Sequence, residues 1–134
     1  MRPLLHIVLT LLLGLAAAAA QESPTKQEWP TRTVKIIVPF GPGSTPDMMA
    51  RLIADRLQSK LGQSFVIENK PGASGNLGTD AVAKAEPDGY TIGVSIGGPL
   101  AINTLLFSSL RYDPTTEIAP VSQLVSQPSV LAVH

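Results

Sequence analysis

Ser95 is the residue whose surroundings in the sequence most resemble a catalytic centre. It lies in the run GVSIG (residues 93–97), which matches the G-x-S-x-G pattern of a strand-to-helix turn that exposes a nucleophilic serine. A triad also needs an acid, for which Asp113 and Glu117 are available, and a histidine after the serine, which is only His134. A residue at a chain end is poorly positioned as a base. A serine hydrolase is therefore the alternative hypothesis.

Two loops rich in glycine, proline and serine indicate a different function, the binding of an anion. They run from Phe40 to Asp47 and from Ser95 to Asn103. Glycine lets the backbone approach a ligand, and the free N–H groups of a helix start favour negative charge. Neither loop contains Lys or Arg, so a carboxylate or phosphate would be held by backbone N–H groups and by hydroxyls. Ordinary turns that need glycine only for their geometry are the alternative.

The candidate binding residues are drawn from these two loops. They are Phe40, Gly41, Pro42, Gly43, Ser44, Thr45, Asp47, Ser95, Gly97, Gly98 and Asn103. Asp47 has a second possible role, because a negative charge in the first turn of a helix stabilises that helix.

The composition excludes several other functions. Ten basic and ten acidic residues give a formal net charge of zero, so no basic field exists to hold a nucleic acid. The chain has no cysteine, which excludes a disulfide, a thiolate nucleophile and an iron–sulfur cluster. With only two histidines, a metal site would have to be built from carboxylates, and no G-x-x-x-x-G-K-[ST] run is present to cradle a nucleotide. We expect neither a metal nor a cofactor.

Alternating strands and helices are predicted to position the two loops. Short runs rich in β-branched residues predict strands, and apolar residues at three- and four-residue spacing predict helices. The predicted strands are 33–40, 64–68, 90–95, 118–125 and 129–134. The predicted helices are 46–61, with Thr45 as N-cap, Pro46 as the first helical residue and Gly62 ending the helix, 77–85 and 100–107. This order indicates right-handed βαβ crossovers and an open parallel sheet, so the fold class is α/β.

The order of the strands decides whether the two loops meet. In an open parallel sheet, ligands bind beyond the carboxyl ends of the strands, where the crossovers diverge to opposite faces. If the order is 2-1-3, that point lies between the loop after the first strand and the loop after the third.

The first twenty residues have the pattern of a secretory signal peptide. Arg2 precedes an apolar stretch over residues 7–15, and an Ala-x-Ala cleavage site follows at Ala18 to Ala20. An uncleaved anchor is the alternative, but the apolar stretch is short for a span of about 20 residues. We therefore divide the chain into a signal peptide (1–20), a flexible lead-in (21–32) and an α/β lobe (33–134).

Several motifs, in order, resemble the periplasmic substrate-binding receptors of tripartite tricarboxylate transporters, known as the Bug family. The resemblance covers nearly the whole chain after the signal peptide. Its marks are VPFGPGSTPD (38–47), ENKPGASGN (68–76), PDGYT (87–91), PLAIN (99–103) and YDP (112–114) before APV (119–121).

This resemblance implies a function as well as a fold. Members of the family are two-domain clamshells that capture small organic acids in the periplasm through backbone contacts and deliver them to a membrane permease without catalysis. Carried over by position, the contacting loops are Phe40 to Asp47 and Ser95 to Asn103. One departure is Ser44, where many relatives have glycine, so that this loop gains a hydroxyl.

The larger departure is length, because family members are more than twice as long and place half of the pocket on a second domain. We therefore expect an incomplete first lobe of a periplasmic-binding-protein-like clamshell. We also expect residues 21–134 alone to be prone to aggregation, because residues 130–133 form an uncovered apolar run, and not to bind an acid with micromolar affinity. A truncated remnant that binds nothing is a further alternative.

Overall fold

The structure is a computed structural model that describes residues 29–128. The predicted signal peptide with its cleavage after Ala20, most of the lead-in, the predicted strand at 129–134 and the histidine of the hypothetical triad lie outside the described residues.

Three parallel strands with helices between them make up the described part of the chain. The sheet order is β2-β1-β3, which meets the condition of a 2-1-3 order and confirms the α/β class. The elements are β1 (Val34–Val38), α1 (Thr45–Leu61), β2 (Phe65–Asn69), a 3₁₀ turn (Ala73–Gly75), α2 (Asn76–Ala83), β3 (Thr91–Gly93), a π-helical turn (Gly98–Ile102) and α3 (Asn103–Leu106).

The core lies between the central strand and α1. Val34, Ile36 and Val38 of β1 are completely buried, as expected for a strand with a neighbour on each side and helices over the sheet. Ala50 and Ala54 of α1 belong to the same apolar cluster. Because these contact positions are alanines, the backbone of the helix can approach the sheet closely.

The predicted ends of α1 agree with the structure to within one residue. The helix begins at Thr45, so Ser44 rather than Thr45 occupies the N-cap position, and Pro46 follows in the first turn. The Ser44 hydroxyl donates to the Gly41 carbonyl instead of capping the helix. At the other end, Gly62 is left-handed with φ of 70° and donates its N–H to the Gln58 carbonyl, which confirms the predicted stop.

The bounds of the other predicted elements differ from the structure. β1 covers Val34–Val38 rather than 33–40, and β2 covers Phe65–Asn69 rather than 64–68. β3 is three residues long rather than six, and α2 covers Asn76–Ala83 rather than 77–85. The helix predicted at 100–107 is a π-helical turn followed by one turn of α-helix.

The strand predicted at 118–125 is wrong, because these residues form no strand. Its apolar residues lie largely in solvent, and Val121 is 93% exposed. A run of β-branched residues becomes a strand only where a neighbouring strand can accept its hydrogen bonds. No such strand lies beside this run within residues 29–128, and Pro120 lacks a backbone donor.

Within residues 29–128, none of the helices has the length and apolar character needed to cross a membrane.

Candidate functional site

The loops that follow all three strands meet at the carboxyl edge of the sheet. Phe40 after β1, Gly75 after β2 and Pro99 after β3 are in contact. A methyl group added to Gly75 would lie 2.6 Å from Cγ of Pro99 and 2.9 Å from Cζ of Phe40. The structure therefore brings together the two loops selected from the sequence, and it adds a third.

The loop after β1 is fixed from below by side chains. Nδ2 of Asn69, the last residue of β2, donates to the Phe40 carbonyl at 2.9 Å. The Gly43 N–H donates to Oδ2 of Asp47 at 2.8 Å. The Ser44 hydroxyl donates to the Gly41 carbonyl at 2.7 Å, so this hydroxyl has a partner within its own loop.

Asp47 is buried, with 2% of its surface exposed, and both carboxylate oxygens are engaged. Oδ2 accepts from the Gly43 N–H and from Nε of Arg51, and Oδ1 accepts from Nη2 of Arg51 and Nδ2 of Asn69. These hydrogen bonds, with Arg51 first and then Asn69 and Gly43, lower the pKa of Asp47 to about 2. Asp47 is therefore ionised at neutral pH, and its carboxylate faces the inside of the loop.

The outer side of the same loop is open. Pro42 and Gly43 are exposed, and no atom lies within 4 Å of where a Cβ would be on Gly41 or on Gly43. Within residues 29–128, the N–H groups of Gly41 and Thr45 have no hydrogen-bond partner. The loop thus presents unpaired backbone donors at the start of α1, as anion binding requires.

The loop after β3 contains a second exposed stretch of backbone. Gly97 is exposed, and a Cβ on it would meet nothing within 4 Å; Gly98 follows at the start of the π-helical turn. Asn103 is 4% exposed. Its Nδ2 donates to the Ser74 carbonyl at 3.2 Å and to Oδ1 of Asn76 at 2.6 Å. Asn103 thus joins the loop after β3 to the loop after β2.

Ser95 lies half-buried between these loops and an apolar groove. Its Oγ is buried and has no hydrogen-bond partner in the described part of the chain. The groove has a volume of about 340 Å³, and Val82, Ile92, Leu100 and Ile118 contribute to its walls.

The loop after β2 was not selected from the sequence, although its glycines were visible there. Four consecutive residues in it, Gly72, Ala73, Ser74 and Gly75, have positive φ, of 132°, 47°, 56° and 88°. Two of them carry a Cβ, so the backbone here is strained, as often occurs at functional sites. In the strand order 2-1-3, β2 lies away from the expected switch point. That geometry gives no reason to include the loop. The signals available in the sequence are the run GASG and its place in ENKPGASGN (68–76), one of the marks of the family resemblance.

The geometry of a nucleophile elbow is absent at Ser95. Among residues 29–128, positive φ at residues other than glycine is confined to Ala73 and Ser74, so Ser95 does not occupy the strained turn that exposes a nucleophilic serine. Both candidate acids have other partners. Oδ1 of Asp113 accepts from the N–H and the hydroxyl of Thr115, and Oε1 of Glu117 pairs with Lys84 at 2.7 Å.

No free positive charge lies in the candidate loops. Arg51, the basic residue beside them, is paired with Asp47 at 3.0 Å, and Lys70 is paired with Glu68 at 3.0 Å. In the same described range, no cluster of acidic or histidine side chains could hold a metal ion. The arrangement can therefore bind an anion through backbone dipoles and hydroxyls.

Comparisons with known proteins agree on one family. The family model described as "Tripartite tricarboxylate transporter family receptor" matches residues 49–134. The protein BugT of Bordetella pertussis is 40% identical over 122 residues, which cover 90% of this chain and 36% of BugT. A UPF0065 protein of Bordetella bronchiseptica is 38% identical over 122 residues, which cover 91% of this chain and 35% of that protein. The chain thus spans about a third of the length of these relatives.

Solved structures show the same fold. The structure described as "MatC (Rpa3494) from Rhodopseudomonas palustris with bound malate" matches with a TM-score of 0.68 and 42% identity, over 72% of this chain and 33% of that one. "R. palustris Rpa4515 with adipate" matches with a TM-score of 0.64 and 50% identity, over 66% of this chain and 30% of that one.

Proposed function

Because the chain belongs to the tripartite tricarboxylate transporter receptor family, we propose that it is a solute receptor, or one lobe of a receptor, for a small organic carboxylate. In this proposal it captures the acid in the periplasm and delivers it to a membrane permease without catalysis. The observation that carries the proposal is the pair of open loops after β1 and β3, which present unpaired backbone donors beside the start of α1 and no free basic side chain.

The proposed ligand is an aliphatic dicarboxylate. One structurally similar protein is described with bound malate and another with adipate. A carboxylate suits donors of this kind because its two oxygens accept several N–H bonds at once, and such charge-assisted bonds are stronger than neutral ones. The N-terminus of α1 adds its partial positive charge.

The proposed site keeps the residues selected from the sequence. Those with open backbone or a hydroxyl would contact the acid, whereas the buried side chains of Asp47 and Asn103 form the frame that holds the loops. The contacting residues in this proposal are Phe40, Gly41, Pro42, Gly43, Ser44, Thr45, Gly97 and Gly98, and Ser95 through its backbone rather than through its buried hydroxyl. The hydrolase alternative lacks support, because the Ser95 hydroxyl is buried outside an elbow.

A titration with defined probes tests this function. Malate and adipate are added to the purified chain from micromolar to tens of millimolar concentration, and binding is followed by calorimetry and by amide spectra. Adipamide, which has the same shape without the charges, serves as the matched ligand control. We expect saturable binding of the two acids and none of adipamide. Absence of binding by both acids would overturn the proposed function.

Two glycines with similar backbones provide a matched pair of variants. Gly43 and Gly62 have φ of 81° and 70°, and neither has an atom within 4 Å of an added Cβ. Gly43→Ala places a methyl group on the candidate surface and should weaken binding about tenfold, the equivalent of about 1.4 kcal/mol. Gly62→Ala carries a similar strain at the far end of α1 and should leave affinity unchanged. Equal affinities of the two variants for the acid would show that the acid does not bind at Gly43.

A further inference from the structure

The Ser44 N–H and hydroxyl both donate to the Gly41 carbonyl within the loop from Phe40 to Ser44. Two further hydrogen bonds join this loop to side chains beneath it. Its outer side is open to solvent, and Gly41 and Gly43 have no neighbour within 4 Å of a Cβ position. The two bonds run from Nδ2 of Asn69 to the Phe40 carbonyl and from the Gly43 N–H to Asp47. Without them, a loop with two glycines would sample many backbone conformations.

The two bonds belong to one network that joins three elements. Nδ2 of Asn69, at the end of β2, also donates to Oδ1 of Asp47 at 2.9 Å, and Arg51 of α1 donates to both oxygens of the same carboxylate. Asp47 is 2% exposed whereas the Arg51 side chain is 53% exposed. A buried carboxylate is stable only when its oxygens are bonded, so the network has one well-defined geometry.

Charge balance gives this network a second consequence. Arg51 and Asp47 neutralise each other at the base of the loop. The buried carboxylate therefore does not repel an anion on the outer side as strongly as an unpaired one would. The loop can then bind an anion through its backbone alone, although a negative residue lies directly beneath it.

We propose that Asp47, Arg51 and Asn69 are positioning residues, which fix the Phe40 carbonyl and the Gly43 N–H and thereby direct the free N–H groups of the loop toward the ligand carboxylate. This inference rests on the proposed function of the loop. The three side chains need not touch the ligand themselves.

Asp47→Asn is the variant that tests the positioning role of Asp47 most specifically. It preserves the shape of the side chain, but one oxygen becomes an NH₂ group, which cannot accept from Gly43, Arg51 or Asn69. In either orientation of the amide, at least one donor faces another donor. We expect the dissociation constant for malate to rise about tenfold or more, since a charged hydrogen bond that fixes the loop is lost.

The matched control is Asp55→Asn. Asp55 lies on the exposed side of the same helix, and its replacement causes the same change of charge. We expect the affinity of this variant for malate to stay within about twofold of the parent chain, because neither bond to the loop changes. Arg51→Gln and its control Arg56→Gln form a second pair. In Arg51→Gln the bonds from Gly43 and Asn69 to Asp47 remain, so we expect a smaller loss of malate affinity than in Asp47→Asn. In Arg56→Gln we expect no loss of affinity.

Amide hydrogen exchange separates positioning from a general loss of structure. In Asp47→Asn we expect faster exchange and a shifted resonance at Gly43, with unchanged protection of Ile36 and Ile37 in the central strand. Unchanged malate affinity in Asp47→Asn, or an equal loss of protection in the strand, would overturn the proposal. If Asp47→Asn does not fold, the Arg51→Gln pair decides by the same two readouts.

Failure of the function and failure of the positioning role give different results. If the parent chain binds neither malate nor adipate, the proposed function fails, and the positioning role that rests on it is overturned with it. If the parent chain binds malate and Asp47→Asn binds it equally well, the function stands and only the positioning role is overturned.

Discussion

At the scale of single residues, the carboxylate of Asp47 gives the protein a defined pH dependence. Its pKa is lowered from 3.8 to about 2 in the folded chain. A carboxyl group with a lowered pKa contributes stability that is fully present above its unfolded pKa and is lost as pH falls through the folded value. The contribution of Asp47 should therefore be constant near neutral pH and disappear between about pH 4 and pH 2.

Urea unfolding of the parent chain and of Asp47→Asn measures this contribution. We expect the parent to be more stable at pH 7 and pH 5, and the difference to shrink toward zero at about pH 2, because the carboxylate is then protonated. The comparison cancels the contributions of Glu68, Asp113 and Glu117, whose pKa values are also lowered. If the difference in unfolding free energy between the two chains stayed constant down to pH 2, it would not come from the lowered pKa of Asp47.

The buried hydroxyl of Ser95 leads to a second prediction at this scale. Because its Oγ has no partner among residues 29–128, Ser95→Ala removes no internal hydrogen bond and should change the free energy of unfolding by no more than about 1 kcal/mol. Any loss of ligand affinity should be of similar size. Ester hydrolysis by the parent chain that disappears in Ser95→Ala would instead support the serine hydrolase.

At the scale of the elements, close packing of α2 on the end of β1 depends on Gly78. A Cβ on Gly78 would lie 2.6 Å from Cα of Pro39 and 2.7 Å from the Lys70 carbonyl oxygen, which are backbone atoms. Gly78→Ala should therefore destabilise the fold by about 1–3 kcal/mol in a denaturant melt. Gly97→Ala is the control for stability, because φ there is −61° and nothing lies within 4 Å. Equal stability of the two variants would contradict the close packing of α2 against Pro39 and Lys70 at Gly78.

The sequence predicted best the elements that local chemistry determines. α1 has Pro46 in its first turn and Gly62 at its end, so its ends were predicted to within one residue. β1 is a short β-branched run whose position was predicted, although the prediction began one residue early and ended two residues late. The strand expected at 118–125 depended on a neighbouring strand, which no local pattern specifies. The same limit applies to the π-helical turn after Gly97, because packing against the loop after β2 determines its form.

The meeting of the candidate loops was predictable from the sequence, but the bonds made by their side chains were not. The strand order and the glycine loops indicated where the loops meet. The bonds from Asn69 to Phe40 and to Asp47 join residues 29 and 22 positions apart, a relation that no spacing rule contains. For the same reason the sequence could not show that the carboxylate of Asp47 faces inward.

At the scale of the whole molecule, α3 exposes two adjacent apolar side chains to solvent. Leu105 and Leu106 are 87% and 71% exposed. Exposed apolar side chains in a cluster favour association. We expect sedimentation to show association of the chain at high micromolar concentration, and Leu105→Lys with Leu106→Lys to reduce it. A monomer at all concentrations would contradict this expectation.

In the proposed function, the loops at the carboxyl edge of the sheet bind a small carboxylate through their backbone. Residue-resolved amide spectra of the ¹⁵N-labelled chain, recorded during titration with malate, show which backbone N–H groups contact the acid. We expect saturable shifts at Gly41, Gly43, Thr45, Gly97 and Gly98, and none at Gly62 or at Gly89, which lies in the turn before β3. Shifts confined to other surfaces, or the same shifts with adipamide, would contradict binding of the acid by these loops.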